Sequence, residues 1–535
     1  MSKENALHRL IFRSKLYNNS LIENKIRNVS KININPFPGN KEIGNKIFKG
    51  NFLLSGHNLD LRGQLPWQTN APKIWKRDFH SFFWLHHLRA TDSLSASTYS
   101  QTIINRWIEE YGQWDEFVWN LPLIAKRLEN WILNYDFIVL DAKEKFLNKF
   151  IHSFYKQLKH FLRWNNLNEN SIDNIQSALT LYLSGVFIGK KKLSQKGVKL
   201  INNEIEKNDA NKNMFKCSNS SEILTILRIL SILNEINDET FKFSINKIDQ
   251  LIDYFFKVII TLTHPDERLS IFNGSFEDSE YVNITLKNLK LKKTNIKPLL
   301  SITDLGFERM NVKRLLIIAK SGKFNSPKKF LGPLSFEASV GKERLIVNCG
   351  TFSGEDKNWK ELSNTNQAYS TLTINNSDPE YVYEKKYFEP TLRGDEETNS
   401  WLEIRHHGYR KKFGIIHVRR IHVYHDAMEI RGNDTVIAIE NFDSNKKNLA
   451  VLRFHLHPSV SASSTGNNEE ILLRPSKGAG WLFKVNSLSA KVDESVYLGI
   501  KGKMKRSQQI VVEFDIVSSR QEILWKFLRL PGRGF

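Results

Sequence analysis

The spacing of apolar residues changes along this chain from a helical period to a strand period. Between about 66 and 265, apolar side chains recur every three to four residues, as in "TIINRWIEEY" and "LPLIAKRLENWILNY", which is typical of amphipathic helices packed side by side. After about 300 they alternate with polar residues in short runs such as "RLLIIAK" and "QIVVEFDIVS", which is typical of antiparallel strands. The change predicts an α+β multidomain protein, in which helices precede a large antiparallel β-sandwich.

The length of 535 residues exceeds what one hydrophobic core usually supports, so two or three domains are expected. We predict a basic, loosely packed N-terminal arm at 1–50, a helical domain at 51–295 and a sandwich domain at 296–535. No apolar run reaches the roughly 18 residues that span a bilayer, so no transmembrane segment is expected. The first residues lack an unbroken apolar signal region, which predicts synthesis in the cytoplasm and leaves export by another route open.

Lysine and arginine outnumber aspartate and glutamate by 78 to 57, which gives a formal net charge of +21. Such an excess indicates a polyanionic partner: an acidic polysaccharide, nucleic acid or a membrane surface. A composition rich in Lys, Asn and Ile can also produce it without any partner. The two cysteines, Cys217 and Cys349, exclude a disulfide framework and a thiolate zinc site. We expect each to be a buried free thiol.

Five of the fifteen histidines lie in "RHHGYRKKFGIIHVRRIHVYHD" at 405–426, and two more follow in "RFHLHPSV". On a strand, His417 and Arg419 share one face, and neither face of this strand is apolar throughout. The cluster therefore predicts a metal site, an acid–base site, a cradle for an anion or the polar side of a sheet. His455 and His457 would be about 7 Å apart on a strand, which is wide for two ligands of one ion but suits a polyanion.

A fixed cation, two imidazoles and a phenol stand together at Arg405, His406, His407 and Tyr409. This set could remove the proton beside a carboxylate, as in β-elimination on a uronic acid: arginine neutralises the carboxylate, and tyrosine or histidine moves the protons. The polar tip of a hairpin is the alternative interpretation. The signatures of dinucleotide-binding, P-loop, zinc-protease and serine-hydrolase sites are absent from the sequence.

Several motifs of the strand-rich half resemble those of the heparinase II/III-like family, which is related to polysaccharide lyases. The resemblance implies an incomplete α/α-toroid followed by an antiparallel β-sandwich, with an acidic polysaccharide bound in the cleft between them. The motifs that carry it are "HPDERLSIFNGS" (264–275), which resembles the segment joining the family's two domains, "GPLSFEASVGKERLIVNCGT" (332–351), "YSTLTINN" (369–376), "RHHGYRKKFGIIHVRR" (405–420) and "RFHLHPSV" (453–460).

The chain departs from the family pattern at the positions of catalysis and metal binding. Family lyases often carry a His-x-His-x-Asp run before "LSFE", and the matching positions here are Lys328, Phe330 and Gly332. The resemblance therefore implies that the metal is lost, and no cofactor is predicted. Tyr369 stands where many relatives have histidine, and Asn348 stands where they often have aspartate. The Asn–His pair of the family's helical domain is also absent.

These observations support two main hypotheses. The first is a lyase that performs β-elimination on a uronate-containing anionic polysaccharide, and the second is a catalytically degenerate glycan-binding or cell-envelope assembly protein. Nucleic acid is not expected as a partner, because only charge supports it. The candidate residues are expected to line the seam between the two domains. The predicted catalytic residues are His406, His407, Tyr409 and Tyr369, and the predicted substrate-binding residues are Arg405, His417, Arg419, Arg420, His455 and His457.

Overall fold

A computed structural model divides the chain into two compact units. The helical domain comprises Met1–Lys216, Thr225–Tyr254 and Ile284–Lys293, and the sandwich domain comprises Cys217–Leu224, Phe255–Asn283 and Thr294–Phe535. The structure describes residues 3–23, 29–32, 34, 37–164, 171–210, 217, 219–236, 245–277, 282, 285, 296–322, 331–380, 389, 391–439, 447–466 and 470–531.

Most helices come before residue 262, in agreement with the sequence pattern. In order they are α1 (Lys3–Arg13), α2 (Lys15–Ser20), α3 (Lys41–Phe48), α4 (Lys73–Ser81), α5 (Leu85–Arg89), α6 (Leu94–Tyr111), α7 (Leu121–Leu133), α8 (Tyr135–Ile138), α9 (Glu144–Trp164), α10 (Ser171–Phe187), α11 (Lys191–Ala210), α12 (Ser220–Glu235), α13 (Ile245–Thr261), α14 (Lys357–Ser363) and α15 (Arg410–Phe413). Within the described ranges, no helix is both long and apolar enough to cross a membrane.

Aromatic side chains fill the core of the helical domain. Trp75 stacks on Phe79 with 5.4 Å between ring centroids, and Phe82 meets Trp107 and Trp131 edge-on at 5.5 and 5.4 Å. The helical segment "DFHSFFWLHHLRA" is interrupted at Phe82, whose φ of 60° is left-handed. The interruption separates α4 from α5 and turns the Phe82 ring into the tryptophan core.

The N-terminal region is better packed than the sequence indicates. Asn40 caps α3 by accepting hydrogen bonds from two backbone N–H groups of that helix, and a hairpin follows, formed by β1 (Asn51–Leu54) and β2 (His57–Asp60). Phe52 of β1 is fully buried and lies 5.5 Å from the ring of Trp84. Within the predicted arm at 1–50, Phe37 and Ile47 are each 2% exposed, and the Phe37 ring lies 6.4 Å from that of Phe83.

The sandwich domain consists of two antiparallel sheets. The eight-stranded sheet has the order β14-β15-β16-β19-β12-β11-β10-β9; the other sheet has the order β17-β18-β13-β7-β6-β5-β4-β3, with β8 paired to β13. The strands are β3 (Ser301–Ile302), β4 (Phe307–Val312), β5 (Leu315–Lys320), β6 (Phe336–Val340), β7 (Glu343–Val347), β8 (Leu372–Ile374), β9 (Leu392–Asp395), β10 (Asn399–Tyr409), β11 (Ile415–Tyr424), β12 (Glu429–Ala438), β13 (Leu449–Leu456), β14 (Val460–Ser464), β15 (Glu470–Pro475), β16 (Trp481–Val485), β17 (Ala490–Tyr497), β18 (Lys505–Asp515) and β19 (Arg520–Arg529).

Alternating apolar residues of both sheets meet in one continuous core, as the period of two predicts. Leu402 and Ile421 come from the eight-stranded sheet, and Leu452 and Phe454 come from the other. The predicted order of a helical region followed by a large antiparallel sandwich is confirmed. Both cysteines are buried free thiols, as predicted.

Candidate functional site

Nine of the ten candidate residues occupy three separate places in the sandwich domain, and the tenth, Tyr369, belongs to a separate small apolar cluster. His406, Tyr409, His417 and Arg419 lie between the two sheets and are at most 1% exposed. Arg405, His407 and Arg420 lie on the outer face of the eight-stranded sheet, and His455 and His457 lie on the outer face of the other. The interior group and the outer-face group of the eight-stranded sheet are neighbours in the sequence, on the hairpin of β10 and β11. Strand alternation directs their side chains to opposite faces of the sheet.

The interior group forms a hydrogen-bonded network that ends on Asp434. His417 Nε2 donates to Asp434 Oδ1 at 2.6 Å, and Arg419 binds both oxygens of the same carboxylate at 2.8 and 3.1 Å. Trp525 Nε1 also donates to Asp434, at 2.7 Å. Asp434 is paired with Arg419 in the register of β11 and β12. The sequence predicted that neither face of β11 is plain core. The face that carries His417 and Arg419 is nevertheless core, because Asp434 on the neighbouring strand neutralises the charge of Arg419.

The proton positions of this network follow from its partners. Because His417 Nε2 donates to a carboxylate, its Nδ1 accepts from His406 Nε2 at 3.3 Å in the neutral tautomer, and His406 Nδ1 accepts from the Gly408 backbone N–H at 3.1 Å. Burial lowers the pKa of both imidazoles. Burial alone would raise the pKa of Asp434, but Arg419 and His417 outweigh it and hold that pKa at about 2.

The two candidate phenols are buried as well. Tyr409 is fully buried in the sandwich core, where its hydroxyl donates to the Leu372 carbonyl at 3.1 Å and accepts from Asn366 at 3.1 Å. Tyr369 is 3% exposed. Its ring lies against Gly332, where a Cβ would stand 2.3 Å from Tyr369 Cδ1. Burial raises the pKa of both phenols above that of free tyrosine.

On the outer face of the eight-stranded sheet, each candidate side chain contacts a carboxylate. Arg405 binds Glu403 at 2.7 Å and Glu389 at 3.1 Å, and His407 Nε2 lies 3.1 Å from Glu389. Arg420 binds the other oxygen of Glu403 at 2.6 Å. Of these acids, Glu389 is the more exposed, at 42% of its side chain. The arrangement holds the cations in fixed positions and reduces the positive charge that they present.

His455 is held on the outer face of the nine-stranded sheet by polar contacts on both ring nitrogens. Its Nδ1 lies 2.9 Å from Ser495 Oγ and 3.4 Å from Cys349 Sγ, and its Nε2 lies 2.9 Å from the Gln367 carbonyl. Burial lowers its pKa to about 4 and raises the pKa of the Cys349 thiol to about 11. Cys349 is therefore a thiol and not a thiolate at neutral pH.

A second buried polar group, absent from the sequence predictions, joins the segment after α13 to this sheet. His264 Nε2 donates to Glu337 at 3.0 Å, and the Ile271 backbone N–H donates to the other oxygen of Glu337 at 2.8 Å. Arg344 binds Asp266 with two hydrogen bonds, at 2.9 and 3.1 Å. Burial raises the pKa of Glu337 to about 7 and lowers that of His264.

His457, on the outer face of the nine-stranded sheet, lies beside the second buried polar group. Its ring is 5.1 Å from Tyr497, and its Nδ1 is 2.7 Å from Ser459 Oγ. Burial lowers its pKa to about 4. A signal for the second group was present in "LSFEAS", because alternation places Glu337 opposite the apolar face of β6. His264, the partner of Glu337, and Asp266, the partner of Arg344, lie more than seventy positions earlier in the chain, so neither pairing has a local signature in the sequence.

The described residues do not supply the metal ligands of the resemblance. Lys328 and Phe330 lie outside the described ranges, and Gly332 has no side chain to offer. Across the parts of the chain that the structure describes, no group of three or more His, Cys, Asp or Glu residues could hold a metal ion. The expectation that no cofactor is bound stays a prediction.

Residues 296–526 match the family model described as "Heparinase II/III-like, C-terminal". The C-terminal part of the chain is a heparinase II/III-like domain. A crystal structure of heparinase III has a TM-score of 0.69 at 12% identity and covers 99% of this chain and 90% of its own. A heparan sulfate lyase HepC mutant from Pedobacter heparinus has a TM-score of 0.60 at 14% identity, with 99% and 89% covered. These similarities confirm the predicted toroid-plus-sandwich fold.

A curated relative of this chain has a name that does not refer to heparinase. The FtsZ-localized protein C of Caulobacter vibrioides (strain NA1000 / CB15N) is 23% identical over 533 residues, which cover 93% of this chain and 89% of that protein. This similarity extends over the helical domain as well as the heparinase II/III-like domain.

Taken together, the candidate side chains can hold strands and connecting segments in place, and the outer-face cations can contact an anion.

Proposed function

We propose that this protein is a non-catalytic, glycan-binding member of the heparinase II/III-like family that acts in cell-envelope assembly. One observation carries the proposal: the acid, base and cation candidates for β-elimination are engaged by partners inside the sandwich domain. A lyase needs these groups free to meet a substrate. The chain keeps the family fold and a high positive charge. Its outer sheet faces can therefore bind an anionic polysaccharide.

The phenols are poorly suited to accept a proton from a sugar. A catalytic base works best when its pKa lies near the working pH. Burial shifts the pKa of Tyr409 and of Tyr369 upward, in the unfavourable direction. The Tyr409 hydroxyl is also committed to the Leu372 carbonyl. A substrate could reach it only if the sandwich core opened.

The cations that would neutralise a uronate are already neutralised. Arg419 is bound by Asp434 and by the carbonyls of Leu334 and Ser370, at 2.8 Å each. Arg405 lies between two carboxylates. Without a free cation at the reacting carbon, the C5 proton of a uronic acid stays too weakly acidic to remove.

A role in assembly draws support from the curated relative. Its name states localisation with FtsZ and no lyase activity, and the similarity covers nearly the whole of both chains. The net charge of +21 favours an anionic partner at the envelope.

The test is to measure binding and cleavage on the same acidic glycans. Purified full-length protein is incubated with heparan sulfate and with polygalacturonate, and the ultraviolet absorbance of the unsaturated product is followed, with heparinase III as the positive control. We expect no product, together with saturable binding that weakens as salt increases. Binding should persist in His406→Ala and Tyr409→Phe proteins that remain folded.

The second candidate is a lyase whose acid–base group is His407. It is favoured by the similarity in fold to heparinase III and by the partly exposed Glu389 beside His407. Product formation that disappears in His407→Ala but persists in Tyr409→Phe would select this candidate over the first.

A further inference from the structure

The outer face of the eight-stranded sheet carries a row of aromatic and basic residues, one on each of five neighbouring strands. The registers pair Trp401 with His422, His422 with Arg431, Arg431 with Lys526, and Lys526 with Lys484. Neighbouring strands lie roughly 4.8 Å apart, so this cross-strand row is about 19 Å long. It runs perpendicular to the strands, and none of its members was among the predicted site residues.

Aromatic rings hold the arginines of this face in position. The Arg420 guanidinium lies 4.7 Å from the ring centroid of Trp401, and that of Arg431 lies 4.6 Å from Tyr424. Trp401 itself lies flat on Gly394, where a Cβ would be 2.4 Å from the indole. Stacking reduces the side-chain entropy that an arginine loses on binding. Nε and Nη2 of Arg431 bind Glu429, and the same two nitrogens of Arg420 bind Glu403. These acids leave Nη1 and the second N–H of Nη2 of each guanidinium for a planar anion.

The two ring-supported arginines, Arg420 and Arg431, project further into solvent than the acids that pair with them. The side chains of Arg420 and Arg431 are 43% and 51% exposed, whereas their partners Glu403 and Glu429 are 8% and 13% exposed. Lys526 has no acidic partner among the described residues. An approaching ligand therefore meets cations first, while the carboxylates below orient them.

We propose that the cross-strand row binds a linear glycan chain that bears carboxylates. An extended chain of pyranose rings advances by a distance comparable to the strand spacing, so successive sugars can meet successive strands. Guanidinium groups pair with carboxylates through two parallel hydrogen bonds. Lys484, paired with Glu470, is the last cation of the row. This inference rests on the proposed glycan-binding function and assigns its binding surface.

The test compares two charge-matched double variants of the full-length protein. Arg431→Ala with Lys526→Ala removes two cations from the row, and Lys491→Ala with Lys505→Ala removes two exposed lysines from the other sheet. Binding to polygalacturonate and to duplex DNA is measured at two salt concentrations. We expect the row variant to bind polygalacturonate at least about tenfold more weakly with a smaller salt dependence. The control variant should stay within about twofold of wild type.

The outcomes separate this inference from the proposed function. If the row variant folds, as judged by its melting temperature, and binds polygalacturonate like wild type, that result contradicts the assignment of the binding surface to the row but does not contradict glycan binding. Wild-type protein that binds neither polygalacturonate nor heparan sulfate overturns the proposed function, and the row with it. Duplex DNA that competes as well as the glycan overturns the choice of ligand. Trp401→Ala provides a second variant, which should weaken binding because Arg420 loses its support.

Discussion

At the scale of single residues, the chemistry of the histidine–arginine cluster is set by Asp434. Arg419 and His417 are both fully buried, and an isolated buried charge is strongly unfavourable. Asp434 compensates Arg419 and fixes the tautomer of His417, so the group is stable where a lone cation would not be. The same pairing removes these side chains from the surface on which a substrate would meet them.

We expect Asp434→Asn to destabilise the sandwich domain by about 3–5 kcal/mol, because Arg419 would remain buried without a counter-charge. Urea unfolding followed by tryptophan fluorescence measures this loss. The control is Glu513→Gln, which breaks a pair with Lys491 whose side chains are 45% and 56% exposed; its expected cost is below about 1 kcal/mol. Equal losses in the two variants would contradict the role given to Asp434.

At the scale of elements, close backbone contact fixes helix α3 against α5. The Asn40 backbone N–H donates to His87 Nδ1 at 3.0 Å, and its side chain caps α3. One turn later, Gly44 approaches the His87 carbonyl so closely that a Cβ would be 2.0 Å from its oxygen. A glycine is required there, because any side chain would push the two helices apart.

We expect Gly44→Ala to destabilise the helical domain by about 1–3 kcal/mol, since α3 must move away from α5 to make room. Calorimetry should show a lower melting temperature for the helical domain. Asn45→Ala, at an exposed position of the same helix, is the control and should change stability little. A Gly44→Ala protein as stable as this control would show that the contact can relax without cost.

At the scale of the whole molecule, both domains bury histidines in the neutral form. Burial is the main cause that lowers the pKa of each of them, and the lowered values of His80 and His86 are about 3. The buried histidines with lowered pKa are His80, His86 and His160 in the helical domain, and His264, His406, His417 and His455 in the sandwich domain. Burial also lowers the pKa of the partly buried His422 and His457 of the sandwich domain.

These histidines predict that stability falls as the pH decreases below about 6.5. Below that value a histidine binds a proton in the unfolded chain but stays neutral in the folded protein. Each histidine therefore lowers the free energy of unfolding by up to about 1.4 kcal/mol for every pH unit below 6.5. Glu337 and Glu308 have the opposite effect on stability, because the raised pKa of each, about 7 for Glu337, favours the folded state at lower pH. They are two groups against nine histidines.

Melting temperatures measured between pH 8 and pH 5 at constant ionic strength test this expectation. Both thermal transitions should move to lower temperature as the pH falls. A transition of the sandwich domain that stays constant or rises over this range would contradict the burial of neutral histidines there.

The sequence alone determined the order of helices and strands and the residues that share a strand face. It placed His417 and Arg419 on one face correctly, because alternation is a property of the local backbone. It did not determine that this face is core. That depended on Asp434, from another strand, and on Trp525, ninety-one positions further along.

Tertiary structure also decided that His455 lies on a different sheet from His417, and that His264 meets Glu337. Periodicity follows from backbone geometry, which neighbouring residues specify. Burial and charge pairing follow from contacts between distant segments, and these exist only once the sheets have assembled. For this protein, the fold could therefore be predicted from the sequence, whereas the accessibility of its chemical groups was decided by the packing of the two sheets.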